Sequence, residues 1–558
     1  MNIVAATLNA KYIHTNLALR YLKASCAPEF DLHIKEFTIK DRIMDIVTEL
    51  YELKPEVLLF SCYIWNVNQT LEIITLLKKI LPQMKVIIGG PEVSYDTEEL
   101  LQTVPAIDAI IMGEGEITLK KMLHAIENKS EYNEVPGITF LHENKAITTK
   151  PAPAVNLKEI LSPYRFREDL PNLSRRITYF ETSRGCPFNC QFCLSSLDKG
   201  VRFFEMEWVK NELLYLIQNG AKTIKFLDRT FNTNKKFALE ILQFLIENHL
   251  PGNIFQFEIT ADILPPEIVE FLNAHAPSGL FRFEIGVQST NPKTNEIIMR
   301  KQDFNRTANI VKLIQKGKKI EQHLDLIAGL PMEDYESFKK TFNDVFALRP
   351  EELQLGFLKM LRGVGVRKRA DEYNYQFMDQ PPYEILSNNV LSFEDITKLK
   401  QLEDILEKYW NSGRFSRTIE YIVTNLYESP FDFFQEFGNY WHQLKYKKIG
   451  HQLSDLFTRL FTYIKTIHPH HDAIILGLMQ IDYLEKSSIK PKIWWEKNEK
   501  LEFDWTNTFI LEREGKKHSI VVELPFCLKT FTSTGTIINQ PQLIAAYYQS
   551  NQVTFHHQ

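Results

Sequence analysis

From residue 177 to residue 358, strand-like runs alternate with amphipathic helical runs, and this alternation restricts the possible folds more than any other feature of the chain. Segments 177–182, 223–228, 254–260, 279–288, 323–330 and 353–358 read as strands. Segments 207–219, 235–249, 265–274, 307–315 and 335–348 carry apolar residues at helical spacing, as in Trp208, Leu213, Leu214, Leu216 and Ile217. A repeat of roughly 25 to 40 residues per unit predicts parallel strands joined by helical crossovers, as in a βα barrel. Reacting groups in such a barrel gather at the C-terminal ends of its strands.

One of those strand ends leads into Thr182-Ser-Arg-Gly-Cys186-Pro-Phe-Asn-Cys190-Gln-Phe-Cys193. Six cysteines in 558 residues are too sparse for a disulfide scaffold, and Cys26, Cys62 and Cys527 stand alone in apolar surroundings as structural thiols. The start of the chain has no basic, cleavable leader pattern, and runs such as 473–476 fall far short of the ~20 apolar residues of a membrane span. A reducing, cytoplasmic setting is therefore expected, and there three clustered thiols point to metal or redox chemistry. Structural zinc sites normally take four N or S ligands, and no fourth cysteine or histidine adjoins this loop. Three thiolates on an iron–sulfur cluster would leave one iron open to an outside ligand. A zinc or purely structural cluster is the alternative.

A Cys-x3-Cys-x2-Cys loop after a strand resembles the signature of radical SAM enzymes. The resemblance implies a partial (β/α)6 barrel in which Cys186, Cys190 and Cys193 hold a [4Fe-4S] cluster whose fourth iron chelates S-adenosylmethionine (SAM). Phe192 occupies the family's aromatic place before the last cysteine. Asp228 and Asn232 resemble the Asp-x-x-x-Asn pattern of cobalamin-dependent members. Glu284 and Gln288 match the fourth-strand segment near the ribose and carboxylate of SAM, and Asp325 begins a segment like the family's fifth strand. Glu258 and Thr260 end the third strand, and Arg184 and Arg300 are candidate partners of the SAM carboxylate. Any of these strand-end groups could instead cap a helix or pair with a neighbour.

Residues 1–130 show a second alternation, with strands near 3–7, 57–62, 85–91 and 109–112, which predicts a doubly wound Rossmann-like sheet. Ser61-Cys-Tyr-Ile-Trp65-Asn66, Gly89-Gly90-Pro-Glu92 and Gly113-Glu114-Gly-Glu resemble the loops of the cobalamin-binding domain that precedes many radical SAM cores. The resemblance implies that Ser61, Trp65, Asn66, Gly89, Gly90, Glu92, Gly113 and Glu114 surround the corrin. The Asp-x-His-x-x-Gly motif of other cobalamin proteins is absent, because Tyr12 and Leu17 flank His14 in its place. A Rossmann-like domain that has lost its ligand is the simpler alternative.

Residues 131–176 read as a connector containing a short hairpin near 136–142, residues 177–365 as the barrel, and 366–558 as a mostly helical domain ending in a few strands, expected at 508–513 and 519–524. Five of seven tryptophans fall in that last region and read as core, and 468–472 reads as a polar turn. The fold class is thus α/β with an appended helical domain. With 65 basic against 70 acidic side chains, net charge −5, the balance offers no overall attraction to nucleic acid or an anionic membrane.

The expected function is cobalamin-dependent radical SAM chemistry, with methylation of an unactivated carbon as its commonest outcome. The substrate is expected to be a small molecule or peptide and the electron donor a flavodoxin or ferredoxin. A cobalamin-independent oxidoreductase or methylthiotransferase and a non-catalytic iron–sulfur redox sensor are the alternatives.

Overall fold

The computed structural model describes residues 1–143, 145–498 and 500–558, which fall into two compact units. The first comprises Met1–Asp334 and Gly356–Ser392, the second Tyr335–Leu355 and Phe393–Gln558.

The first unit opens with β1 (Ile3–Asn9), β2 (Leu32–Thr38), β3 (Val57–Ser61), β4 (Lys85–Gly89), β5 (Ala109–Ile111), β6 (Ile138–His142) and β7 (Lys145–Thr148), in the spatial order β2-β1-β3-β4-β5-β6-β7. The pairs among β1 to β5 are parallel, and β5–β6 and β6–β7 are antiparallel. Every residue of β1 is buried because its side chains feed two cores. Val4, Ala6 and Leu8 pack with the helices Ile43–Glu52 and Val67–Ile80, whereas Ile3 and Ala5 pack with Leu17–Cys26 and Glu116–Glu127. This is the doubly wound sheet expected from the sequence, with β2 and its following helix as unforeseen additions. The hairpin expected in the connector extends this same sheet: Thr139 Oγ1 lies 2.9 Å from Thr97 Oγ1 and 3.1 Å from Thr148 Oγ1.

The second sheet of this unit contains β8 (Ile177–Phe180), and the short antiparallel pair β9 (Ser183–Arg184) and β10 (Arg202–Phe203) flanks the cysteine loop. It continues with β11 (Thr223–Phe226), β12 (Ile254–Ile259), β13 (Phe281–Gln288) and β14 (Glu321–Ala328) in the order β14-β13-β12-β11-β8. The pairs from β8 to β14 are parallel, as the strand–helix repeat requires. On β13 the apolar Phe281, Phe283, Ile285 and Val287 are buried, while Arg282, Glu284, Gly286 and Gln288 alternate with them on the other face. Within β15 (Glu352–Phe357) the chain returns to the first unit at Gly356, and it then forms the small hairpin β16 (Gln376–Phe377) and β17 (Ile385–Ser387).

The division therefore does not fall at residue 365. Residues 356–392 belong with the barrel, and the helix Tyr335–Phe346 belongs to the second unit. Packing explains the latter: Phe342 meets Phe431 and Phe434 edge-on, and Lys339 pairs with Asp432 at 2.5 Å. The second unit adds helices Phe393–Leu406, Ser416–Asn425, Pro430–Gln443, Leu453–Ile467 and Asp472–Glu485, and an antiparallel sheet of β18 (Ser519–Leu524), β19 (Gln542–Gln549) and β20 (Gln552–His557). The strand expected at 508–513 does not form. Thr508 closes a turn onto the Trp505 carbonyl at 2.8 Å, and a helix begins at Glu512. Pro469–His471 is a turn of 3-10 helix, with His471 Nδ1 lying 2.9 Å from the Tyr421 hydroxyl. Among the described residues no helix is long and apolar enough to cross a membrane.

Candidate functional site

The cysteine loop is built from its frame inward. Asp228, directly after β11, is buried, and both its oxygens are occupied: Thr182 N–H donates at 3.0 Å, Thr182 Oγ1 at 2.6 Å and Ser183 Oγ at 2.5 Å. Asn232 fastens the next strand end, with Oδ1 accepting from Thr260 N–H at 2.9 Å and Nδ2 donating to Thr260 O at 2.8 Å. Asp228 and Asn232, expected at the cofactor, therefore brace the strand ends, since a buried carboxylate or amide must find hydrogen bonds inside the fold.

Within this frame Cys186 and Cys190 are buried, Cys193 and Phe192 are half-buried, and none of the thiols is in a disulfide. Burial pushes the Cys186 and Cys190 thiols up, and the adjacent Arg300 guanidinium, 3.8 Å from Cys190 Sγ, draws the latter back. Among the described residues no group of three or more His, Cys, Asp or Glu side chains converges where it could hold a single metal ion. Three free thiols on one loop are a donor set that could ligate separate iron atoms of a cubane.

Beside this loop the barrel lumen is polar. Lys225 Nζ lies 2.9 Å from both oxygens of Glu284, which also accepts from Gln256 Nε2. His323 Nε2 lies 3.0 Å from Asp325, and Arg282 donates to His323 Nδ1 at 3.2 Å. Glu258 has no hydrogen bond or ion pair among the described residues, and burial pushes its carboxyl up to about 7 against the pull of Arg229 and Lys225. Gln288 ends β13 at φ +69°, beyond a register shift at Gly286, and its buried Oε1 has no partner among the described residues. A left-handed, non-glycine residue with a buried, unpaired polar atom is a candidate ligand contact. Arg300 donates to the Gly286 carbonyl and, at 2.8 Å, to Gln302. Lys225, Gln256, Arg282 and His323 were not singled out in the sequence. Their signal is the period-two spacing of polar residues in otherwise apolar strands, as in Phe-Gln-Phe-Glu and Phe-Arg-Phe-Glu.

In the first sheet the order β2-β1-β3 reverses direction between β1 and β3, where a doubly wound sheet opens its ligand crevice. Asn66 stitches that point, accepting from Tyr63 N–H at 2.7 Å and donating to the Leu8 and Ser61 carbonyls at 3.1 Å each. Trp65 donates to Leu8 O at 3.1 Å, stacks on Tyr63 with centroids 4.4 Å apart, and remains 46% exposed. Ser61 is buried, its Oγ 3.4 Å from Asn16 Nδ2. Gly89 accepts from Cys62 N–H at 2.7 Å, and at Gly90 (φ +118°) a Cβ would collide with the Cys62 carbonyl. The close approach expected at Gly90 is thus to the chain's own backbone. Gly113, also left-handed at φ +75°, has open space where a Cβ would stand.

The two acids expected at the corrin are committed within the protein. Glu92 accepts from the Tyr383 hydroxyl at 2.6 Å and lies 3.5 Å from Arg362. Glu114 pairs with Arg202 at 2.5 Å and Arg184 at 3.2 Å and accepts from Val155 N–H at 2.7 Å, which together outweigh burial and hold its carboxyl below the usual range. Arg184 also meets Glu116 at 2.7 Å and Glu181 at 3.1 Å, leaving it committed among three carboxylates and unavailable to a SAM carboxylate. His14 Nδ1 lies 2.8 Å from the Tyr179 hydroxyl, and burial with Lys11 and Lys225 nearby lowers its affinity for a proton.

Residues 3–123 match the B12 binding domain, and residues 180–345 match the Radical SAM superfamily. The chain thus carries a B12 binding domain and a Radical SAM domain. Residues 371–529 match a third family, described as a protein of unknown function (DUF4080). An uncharacterized methyltransferase of Pyrococcus horikoshii is 32% identical over 233 residues, 40% of this chain and 51% of the relative. The cobalamin-dependent radical SAM methyltransferase TokK of Streptomyces tokunonensis is 27% identical over 303 residues, 51% of this chain and 44% of TokK. The chain thus spans about half the length of these curated relatives. The cobalamin-dependent SAM radical enzyme OxsB, solved with aqua-cobalamin and SAM, shares the fold with a TM-score of 0.59 at 17% identity, covering 86% of this chain and 79% of OxsB.

Proposed function

We propose that this chain is a cobalamin-dependent radical SAM enzyme that methylates an unactivated carbon of a small-molecule or peptide substrate. The observation that carries the reading is a free three-thiol loop at strand ends of a parallel barrel, within one compact unit that also holds the switch-point crevice of a B12 binding domain. The description of TokK as a cobalamin-dependent radical SAM methyltransferase supports it, as does the likeness to OxsB.

Cys186, Cys190 and Cys193 would hold a [4Fe-4S] cluster. Glu258, Glu284, Gln288 and Asp325 would line the SAM site, and Ser61, Trp65, Asn66 and the backbone at Gly113 would meet the corrin. When bound, these groups supply reductive cleavage of SAM to a 5′-deoxyadenosyl radical and a methyl group carried on cobalt. The chain's own residues orient and shield. Lys225 holds Glu284 in one position, Arg300 steadies the register shift at Gly286 beside Cys190, and Gln288 offers an unpaired oxygen to a bound donor. Glu258, with its carboxyl pushed up to about 7, takes or releases a proton near neutrality. The low net charge favours a substrate other than nucleic acid, and the reducing equivalents come from a flavodoxin- or ferredoxin-type donor in the cytoplasm, with no membrane involved.

Anaerobic reconstitution with iron, sulfide and cobalamin tests the reading. Metal counts and the visible spectrum should report both cofactors, and addition of SAM and a reductant should yield 5′-deoxyadenosine. Iron without cobalt would favour a cobalamin-independent oxidoreductase or methylthiotransferase. A cluster that never yields 5′-deoxyadenosine would favour a redox sensor.

A further inference from the structure

In sequence, Arg362-Gly363-Val364-Gly365-Val366 marks only the end of the strand–helix repeat. In the fold it touches two functional loops at once. Val366 N–H donates to the Gln191 carbonyl at 2.8 Å, between the second and third cysteines, and a Cβ at Gly365 would collide with the Gln191 side chain. Two residues earlier, Gly363 adopts φ +83°, where a Cβ would lie 2.6 Å from the Tyr95 ring of the B12 binding domain. Arg362 then pairs with Asp96 at 2.8 Å, lies 3.5 Å from Glu92, and donates to the Tyr383 hydroxyl at 3.0 Å. Tyr383 is buried, donates to Glu92 at 2.6 Å, and lies under the Arg367 guanidinium at 4.8 Å.

We propose that residues 362–366 with Tyr383 form a coupling clamp, through which assembly of the cluster tightens the binding of cobalamin. The inference rests on the function proposed above and adds a regulation of that site. Besides the bond from Val366, the cysteine loop is tied by Cys186 N–H to Asp198 O at 3.2 Å, Gln191 N–H to Ile298 O at 2.9 Å, Cys193 N–H to Cys190 O at 3.1 Å and Ser196 N–H to Cys193 O at 3.3 Å. Ligation at three points fixes such a loop, and Gln191, the clamp's anchor, lies between two of them. A fixed Gln191 fixes Val366, and through Gly363 and Arg362 it fixes the Glu92–Asp96 stretch following β4. Ordering already completed for one ligand need not be repeated for the other, so the two bindings reinforce each other. Linkage makes the effect reciprocal, and cobalamin must strengthen cluster retention by the same factor.

The test measures the dissociation constant of cobalamin on the full-length chain, anaerobically, without iron and after cluster reconstitution. Wild type should bind about 5- to 10-fold more tightly with the cluster present. In Tyr383→Phe and Gly363→Ala that ratio should fall to near one, with each cofactor still binding alone. Tyr427→Phe, in the second unit, should keep the wild-type ratio. As a second readout, the EPR signal of the reduced cluster should change on cobalamin addition in wild type and not in Tyr383→Phe. A wild-type ratio of one, or variants that retain the wild-type ratio, would overturn the clamp and leave the proposed function standing. Failure of the wild-type chain to bind either cofactor would overturn both.

Discussion

The loop at residues 186–193 and the loops at 89–92 and 113–116 all follow strands in the first unit, yet they spend their side chains differently. In the first, three thiols are left without a covalent partner. In the others every acid is engaged: Glu92 by Tyr383 and Arg362, Glu114 by Arg184 and Arg202, Glu116 by Arg184. The cause is the cost of burial. A neutral thiol is a small hydrophobe and needs no partner, whereas a buried carboxylate left alone is costly. Cysteines can therefore remain unpaired, while loop glutamates are drawn into holding the unit together. What those loops still offer a ligand is backbone, to which the stretch after β3 adds the exposed face of Trp65. Glu258 is the exception, and its carboxyl, pushed up to about 7, records the burial.

The comparison can be broken most decisively at the thiols. Replacing any one of Cys186, Cys190 or Cys193 by Ala should abolish the reconstituted iron–sulfur absorbance and 5′-deoxyadenosine formation while the urea unfolding midpoint stays close to wild type. The opposite pattern is expected at Arg184→Ala, which leaves three carboxylates without their shared cation and should destabilise the chain by about 3–5 kcal/mol in urea unfolding.

Glu258 supplies an intermediate case through pH. Its carboxyl is ordinarily near 4.5 and is pushed up to about 7 in the fold, so between those values the folded chain holds a proton that the unfolded chain has released. The associated stability is complete below the lower value and is lost as pH rises through the upper one, by up to about 1.4 kcal/mol per pH unit. Glu258→Gln should flatten that decline in denaturant unfolding followed across the window. The smallest effect is expected at Gln288→Ala, which removes the unpaired oxygen. The KM for SAM should rise about tenfold, equivalent to ~1.4 kcal/mol, with little change in stability. A loss of stability as large as that of Arg184→Ala would make Gln288 a structural residue.

Both sheets of the first unit were legible because apolar runs of strand length and amphipathic runs of helix length alternate along the chain, and that periodicity is local. The cysteine loop was legible for the same reason, since its three thiols lie within eight residues. The polar lumen was only half read: Glu258, Glu284 and Asp325 stood out at strand ends, but Lys225 reaches Glu284 from two strands away, and His323, beside Asp325 on β14, meets Arg282 of the neighbouring strand. The second unit misled at 508–513, where a short β-like run gave way to a turn at Trp505 and a helix from Glu512.

By itself, then, the sequence determined a doubly wound sheet, a parallel barrel and a cluster of three thiols, all set by spacing along a single stretch of chain. Only the tertiary structure decided that Glu92 and Glu114 serve as fasteners, that Asp228 and Asn232 brace strand ends, and that Arg362 to Val366 touches Gln191 and Tyr95 together. Those roles depend on which buried charge or polar group finds which partner, and the partners lie from 28 to 291 residues apart, beyond the reach of any local pattern.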